Sequence, residues 1–230
     1  MSRTLFAVIP VRSGSIRIPH KNTRPFCGSS LLEVRVRQML NVQGLDGVCV
    51  SSNDPEMLEI AKTLGAKVHA RDPYYATDTI PMSEVYAHMA REIECDDILH
   101  TTVTSPLVTT TSYEHAIRLY RDLPDGYDSL TTVADVKEFL LRDGVPLNYD
   151  NQSIPRSQDL PDITRLTFAA SILPREMMVK NKSNLGLHPY LLKLSHLESL
   201  DIDTPLDFLI AEWLFQKTVI EKQSMSDLLE

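Results

Sequence analysis

Short apolar segments rich in β-forming residues alternate with amphipathic segments along most of the chain. The first, LFAVIPV, has no polar residue, as expected of a strand covered on both faces. Segments of the same kind follow at GVCVSS, KVHAR, DILHTTVT and DSLTTVADV. Alternation of buried strands and helices predicts an α/β fold with a doubly wound, mostly parallel sheet. In such sheets ligands bind at the carboxyl ends of the strands.

The helical segments carry start signals. Helical periodicity over SLLEVRVRQMLNV places Leu32, Val36, Met39 and Leu40 on one side. In DPEMLEIAKTLGA, Asp54 is predicted to be the N-cap, with a proline at the first helical position. The last helix is predicted near residues 204–222 and has the same kind of start, with threonine followed by proline.

The middle of the chain, about residues 138–165, departs from this alternation. It is polar, contains three prolines and has weak periodicity. We interpret it as an insertion within a single domain that spans residues 1–230. A length of 230 residues fits one large domain or one domain with a subdomain.

Composition excludes several classes of protein. The net charge of −8 and the isoelectric point near 5.4 argue against broad nucleic-acid or membrane binding. No apolar run approaches the roughly 18–20 residues that a membrane span needs, and the N-terminus does not have the pattern of a signal peptide. Three scattered cysteines predict neither a disulfide framework nor a zinc site, so a reducing cytoplasm is the expected compartment.

The loop after the first strand, RSGSIRIPHKN, concentrates cations in an acidic chain. Glycine allows close approach of the backbone to a ligand, hydroxyls add donors, and arginine and lysine can neutralise phosphate. The loop matches neither the P-loop nor the GxGxxG pattern. From the residues alone, a phosphate site and a solvated surface turn both remain open. The candidates are Arg12, Ser13, Gly14, Ser15, Arg17, Lys21 and Asn22.

A second candidate segment is SLDIDTPLDF near the C-terminus. Asp201 and Asp203 are two residues apart, so in extended backbone both carboxylates point to the same side. Two such carboxylates suit a hard divalent cation, above all Mg²⁺ shared with phosphates. The alternative is an acidic N-cap region that binds no metal.

Taken together, these segments resemble the acylneuraminate cytidylyltransferase family, the CMP-sialic acid synthetases and their relatives. The resemblance rests on R-S-G-S-x-R-I-P-x-K-N, then V-S-S-N-D, and about 150 residues further on D-I-D-T-P-x-D-F. GAKVHARDPYYATDT, VTSPL and PRSQDLPDITR are similar to further family segments in the same order. The similarity covers roughly residues 4–215.

The resemblance implies the Rossmann-like fold of the nucleotide-diphospho-sugar transferases, with the inserted segment contributing to a homodimer. It implies transfer of CMP from CTP to an acidic, 2-keto sugar acid-like acceptor for surface glycans, with release of pyrophosphate. Catalysis would depend on Arg12, Lys21 and Asp203, and Mg²⁺ would bind Asp201 and Asp203. The nucleotide would contact Arg12, Ser13, Gly14, Ser15, Lys21, Asn22, Arg71 and Asp78. The acceptor would contact Thr102, Ser105, Arg156, Gln158, Arg165, Thr167 and Phe168.

The chain departs from the family pattern mainly around the expected acceptor site. Thr102 stands where the family has glutamine and Val108 where it has arginine, while Thr167 and Phe168 replace the asparagine and glycine of an N-G-A segment. In the nucleotide loop, Ile16 replaces a lysine. We therefore predict that CTP binding is kept and that the acceptor differs. A nonulosonic acid, a Kdo-like acid and a smaller acidic acceptor all remain open.

Other interpretations stay open at this point. The chain could be a catalytically weak nucleotide-binding paralogue, or an enzyme that uses UTP or GTP instead of CTP. Arg156 and Arg165 could bind the acceptor carboxylate or form ion pairs across a dimer. No general base is evident; His20 lies in the nucleotide loop but could simply face solvent.

Overall fold

The computed structural model describes residues 3–228. Within this range the strands, in chain order, are β1 (Leu5–Pro10), β2 (Pro25–Phe26), β3 (Ser29–Ser30), β4 (Gly47–Ser52), β5 (Lys67–Ala70), β6 (Asp97–His100), β7 (Ser129–Val136), β8 (Leu141–Arg142), β9 (Val145–Pro146), β10 (Ile163–Pro174) and β11 (Pro189–Lys193). The α-helices are α1 (Leu31–Asn41), α2 (Pro55–Thr63), α3 (Met82–Glu92), α4 (Thr110–Arg121), α5 (Arg175–Asn181) and α6 (Pro205–Phe215).

Seven of these strands form one sheet in the order β11-β7-β10-β6-β1-β4-β5. Strand β1 is central and pairs in parallel with β4 and β6, while β5 extends the parallel part beyond β4. Only β10 among the described strands of this sheet runs antiparallel to its neighbours, β6 and β7. The predicted α/β class with a mostly parallel sheet is confirmed.

Helices cover both faces of the sheet and form two separate apolar clusters. The larger cluster packs α1, α2, α4 and α6 against one face. The smaller one packs α3 and α5 against the other. No described helix is long and apolar enough to span a membrane.

The predicted helix starts are confirmed. The Asp54 carboxylate accepts hydrogen bonds from the first-turn amides of α2. Thr204 caps α6 and forms a reciprocal capping box with Asp207. Of the four residues predicted on one side of α1, three are buried: Leu32, Val36 and Met39. Leu40 is 42% exposed, and the buried face of α1 also includes Leu31 and Arg35.

The segment predicted as an insertion contains a small hairpin, β8–β9, in which the side chain of Asn148 bridges the two arms. Its amide oxygen accepts from the Leu140 amide at 2.9 Å, and its nitrogen donates to the Glu138 carbonyl at 2.8 Å. The segment's last three residues already belong to β10, where Ile163 pairs with Val136 of the central sheet.

Candidate active site

A cleft of about 790 Å³ opens at the carboxyl ends of β1 and β6, beside the residue that follows β5. This is the edge at which doubly wound sheets bind ligands. We name two groups of lining residues. The charged end consists of Arg12, Ser15, Arg17, Lys21, Arg71 and Asp201. The neutral end consists of Met82, Tyr86, His100, Phe168, Asn184 and Leu185.

The loop that follows β1 is held in place by its own backbone and by Asn22. The side-chain amide nitrogen of the buried Asn22 donates to the Arg12 carbonyl at 2.9 Å. The backbone carbonyl of Asn22 accepts a hydrogen bond from the amide of Leu32, in the first turn of α1, at 3.0 Å. Gly14 adopts a positive φ of 83°, which glycine reaches at little cost. His20 is exposed and does not line the cleft, so it is not positioned as a base.

Arg12 and Arg71 place two guanidinium groups on the β5 side of the cleft. Arg71 is buried and donates to the Val11 carbonyl, while its Nε has no partner among the described residues. Burial and the neighbouring Arg12 lower the pKa of Arg71 to about 10. Arg12 donates to the Ala76 carbonyl at 2.8 Å and pairs with the Asp78 carboxylate. A buried donor without a partner and two neighbouring cations suit an anionic ligand.

Lys21 and the two aspartates meet on the other side of the loop. Lys21 Nζ donates to the Ile202 carbonyl at 2.9 Å, and burial lowers its pKa although Asp201 and Asp203 oppose that shift. Asp203 pairs with Arg17 at 2.9 Å. Burial, with a further contribution from Asp203, raises the pKa of Asp201.

These residues fit a divalent cation in part. Asp201 Oδ1 is buried and has no partner among the described residues, which is unusual for a carboxylate oxygen and suits a cation. Within residues 3–228, no group of three or more His, Cys, Asp or Glu side chains is arranged to hold a metal. A Mg²⁺ ion at this position would therefore need ligands from phosphates or water, which is its usual behaviour.

The residues predicted to contact the nucleotide are only partly brought into the cleft. Arg12, Ser15, Lys21, Asn22 and Arg71 line it. Ser13 and Gly14 lie in the same loop but outside the lining, where Ser13 accepts a hydrogen bond from Asn53. Asp78 reaches the site only through its ion pair with Arg12.

The residues predicted to contact the acceptor are more dispersed. Only Thr102 and Phe168 line the cleft. Ser105 and Thr167 are buried outside it, and Thr167 bonds to Thr132 of β7. The remaining three predicted residues are exposed and do not line it: Arg156 pairs with Asp159, Arg165 donates to the Ser199 carbonyl, and Gln158 lies in a short 3₁₀ turn.

Phe168 adopts a backbone conformation that favours glycine. Its φ is 53°, at an irregularity of β10 where the pairing with β7 shifts between Leu166 and Ser171. A bulky residue in the left-handed region is strained by roughly 1–2 kcal/mol. The exposed ring lies at the neutral end of the cleft, so the strained backbone positions an aromatic wall there.

A fully buried arginine supports the floor of the cleft. Arg35 of α1 donates to the carbonyls of Thr102 and Ser105 and to the Tyr113 hydroxyl. That hydroxyl lies 3.1 Å from the Ala169 carbonyl, next to Phe168. The network therefore joins two walls of the cleft. In this network Arg35 donates to carbonyl and hydroxyl oxygens and not to a carboxylate.

Sequence reasoning missed most of the neutral end. Met82 and Tyr86 lie on α3, His100 ends β6, and Asn184 and Leu185 follow α5. Of these, His100 gave a usable signal, because a histidine at the end of a buried strand needs a polar partner.

Comparison with known proteins agrees with this geometry. The sequence model of the family described as "Cytidylyltransferase" matches residues 6–226. The chain belongs to the cytidylyltransferase family. The predicted resemblance to the CMP-sialic acid synthetases is thereby confirmed at the family level.

Individual relatives are distant. N-acylneuraminate cytidylyltransferase A of Danio rerio is 26% identical over 92% of this chain, which spans only 50% of that protein. CMP-N,N'-diacetyllegionaminic acid synthase of Legionella pneumophila is 26% identical over 92% of this chain and 96% of that protein. The solved structure of CMP:2-keto-3-deoxy-manno-octonic acid synthetase complexed with CTP covers 94% of this chain and 100% of its own, with a TM-score of 0.71 and 16% identity, and supports the fold alone.

Proposed function

We propose that this cytidylyltransferase transfers CMP from CTP to an acidic, sugar acid-like acceptor and releases pyrophosphate. The observation that carries the proposal is the charged end of the cleft. There, in a chain of this family, one cleft is lined by a buried arginine with an unpartnered Nε, a desolvated lysine and a carboxylate with an unpartnered oxygen. Cations suit the phosphates, and the carboxylate suits a divalent cation between them.

In the reaction, the acceptor hydroxyl oxygen bonds to the α-phosphorus of CTP. The bond from that phosphorus to the bridging oxygen of the β-phosphate breaks, pyrophosphate leaves, and the hydroxyl proton passes to water. Lys21, Arg12 and Arg17 would neutralise charge that grows on the phosphate oxygens, and such fixed groups are effective because they need little reorganisation. CTP binding would exchange the pair between Arg12 and Asp78 for a pair with phosphate.

Asp201 and Asp203 would hold Mg²⁺. When bound, the ion would neutralise phosphate charge. Lys21 lies near both carboxylates and would balance part of their negative charge. A second cation beside them would therefore be favourable only when phosphates are present. Asp203 would have to leave Arg17, and that guanidinium would then be available to a phosphate.

We further propose that the chain forms a homodimer through residues 138–165. This segment exposes large apolar side chains, which monomeric proteins rarely concentrate in one place. They are Phe139, Leu141, Val145, Leu147 and Ile154. A second copy could then bring Arg156 or Gln158 towards the cleft. Light scattering on the wild-type protein and on a Leu141→Asp, Val145→Asp double variant tests the dimer.

A cytoplasmic location also stays a prediction, based on three free cysteines.

The reaction is tested by pyrophosphate release with Mg²⁺ and each of CTP, UTP, GTP and ATP. The acceptor panel contains N-acetylneuraminic, N,N'-diacetyllegionaminic, pseudaminic and 2-keto-3-deoxy-manno-octonic acids, with phosphonoacetate and pyruvate as small acids. We expect release with CTP and a sugar acid, lost in Asp203→Asn and retained in Asp125→Asn, whose side chain is exposed between α4 and β7. Binding of CTP without turnover of any acceptor would support the weak paralogue instead, a reading that Ile16 favours.

A further inference from the structure

The neutral end of the cleft contains a buried histidine that is only half satisfied. His100 is 2% exposed, yet it lines the cleft from the end of β6. Its Nδ1 lies 3.3 Å from the Asn184 amide nitrogen. Its Nε2 has no partner among the described residues. A buried polar nitrogen without a partner is destabilising by about 1–3 kcal/mol, so its retention at a cleft wall points to a ligand.

The contact with Asn184 defines which nitrogen carries the proton. The amide nitrogen of asparagine only donates, so with this amide orientation Nδ1 of His100 accepts and the ring proton lies on Nε2. Burial lowers the pKa of His100 to about 4, which keeps the ring neutral at pH 7. His100 thus offers one hydrogen-bond donor without a charge.

The surroundings of His100 favour an uncharged partner. The ring of Tyr86 meets the imidazole edge-on at 5.2 Å, and the other residues of the neutral end are apolar apart from Asn184. The lining cations follow β1 and β5, whereas His100 ends β6, the strand beside β1, and Phe168 belongs to β10. A carboxylate or phosphonate beside His100 would be desolvated among these mostly apolar side chains, which is unfavourable.

We propose that His100, oriented by Asn184, binds an uncharged oxygen of the acceptor, either a hydroxyl or an amide carbonyl. The inference rests on the proposed function, because the ligand is the acceptor of that reaction. It assigns the acceptor class: a polyhydroxylated or N-acylated sugar acid rather than a small acid, which has no neutral substituent to place there. The family pattern has glutamine where this chain has Thr102, and His100 and Asn184 would supply hydrogen-bonding capacity from β6 and the loop after α5.

The test measures binding and turnover separately. Calorimetric titration of each acid in the panel, with saturating CTP and EDTA, reports acceptor binding without reaction. Pyrophosphate release with Mg²⁺ reports the KM values for acceptor and CTP. The variants are His100→Leu, which removes both nitrogens, and His100→Gln, which can keep a donor. Asn184→Leu serves as a second route if His100→Leu does not fold, and His115→Leu, an exposed histidine of α4, is the matched control.

We expect His100→Leu to weaken binding of a sugar acid about tenfold or more and to raise its KM equally, with the KM for CTP changed less than about twofold. His100→Gln should recover much of the loss, and Asn184→Leu should behave like His100→Leu. Equal sugar-acid affinity in wild type and both leucine variants would overturn the inference. So would a wild-type protein that binds only small acids, or no acid of the panel.

The two proposals fail in different ways. A wild-type protein that binds a sugar acid through His100 but releases no pyrophosphate with CTP would overturn the proposed function and leave the inference standing. A protein that turns over a sugar acid with the same KM in His100→Leu would overturn the inference and leave the function standing.

Discussion

The two ends of the cleft differ in how their polar groups are satisfied before a ligand arrives. At the charged end most cations already have a protein partner: Arg12 has Asp78, Arg17 has Asp203, and Lys21 has the Ile202 carbonyl. A ligand of these three cations must replace existing bonds, whereas Arg71 Nε and Asp201 Oδ1 of the same end have no described partner. At the neutral end the imidazole of His100 is uncharged, and its Nε2 has no partner among the described residues. The charged end is therefore suited to a strong anionic ligand, and the neutral end to discrimination between ligands that differ in an uncharged hydrogen-bonding group.

The largest expected effect is at Lys21. Lys21→Met removes a cation that is desolvated in the cleft, and we expect pyrophosphate release to fall on the order of 10²–10³-fold, as for loss of one fixed transition-state donor. The acceptor KM should change little. Lys62→Met, at an exposed position of α2, is the control. Unchanged activity in Lys21→Met would remove the charged end from the reaction.

Replacing Asp201 is expected to change activity and stability in opposite directions. Because burial raises its pKa, the folded state binds this proton more tightly than the unfolded chain, so ionisation of Asp201 lowers stability as the pH rises through the folded pKa. Asp201→Asn imitates the protonated form. We expect it to raise the melting temperature of the ligand-free protein at pH 7, to lose that advantage in acid, and to reduce activity by roughly 10²-fold.

Melting curves at pH 4 and pH 7, beside an Mg²⁺ titration of activity, check this prediction. A lower melting temperature for Asp201→Asn at pH 7 would contradict it.

Arg35 tests whether the floor supports one end of the cleft more than the other. Arg35→Met leaves the Thr102 and Ser105 carbonyls and the Tyr113 hydroxyl without their donor, and we expect a loss of stability of about 2–4 kcal/mol. Acceptor kcat/KM should fall about tenfold, more than CTP kcat/KM, because the network ends at Ala169 beside Phe168. Denaturant unfolding and steady-state kinetics measure both, with Arg37→Met on the exposed face of α1 as control.

The smallest expected effect is on stability at Phe168, where two substitutions separate the ring from the backbone. Phe168→Ala and Phe168→Gly both remove the aromatic wall, so both should change the order of preference among acceptors and leave the KM for CTP unchanged. Glycine relieves the positive φ, and we expect it to be more stable than alanine by about 1 kcal/mol. Equal stability of the two variants would mean that the backbone at this position is not strained.

The difference between the charged and neutral ends of the cleft also explains which features the sequence could predict. Strand alternation, the caps at Asp54 and Thr204, and the cations after β1 follow from local patterns, and the structure confirms the elements. The neutral end is assembled from α3, β6, β10 and the loop after α5, so no local pattern joins Tyr86 to His100 or Asn184. Arg35 was also hidden, because helical periodicity describes an arginine as a surface residue unless its buried carbonyl partners are known.

The burial of Arg35 has an electrical consequence for the whole cleft. A guanidinium stays protonated at any ordinary pH, and a charge sealed inside protein is screened by dissolved ions far less than one at the surface. Beneath Thr102 and Ser105, Arg35 therefore gives the floor a constant positive potential. Added salt should weaken the attraction that Arg17 exerts on an approaching anion and leave the contribution of Arg35 almost intact. The chain thus combines an overall negative charge with a local positive potential that added salt weakens only slightly.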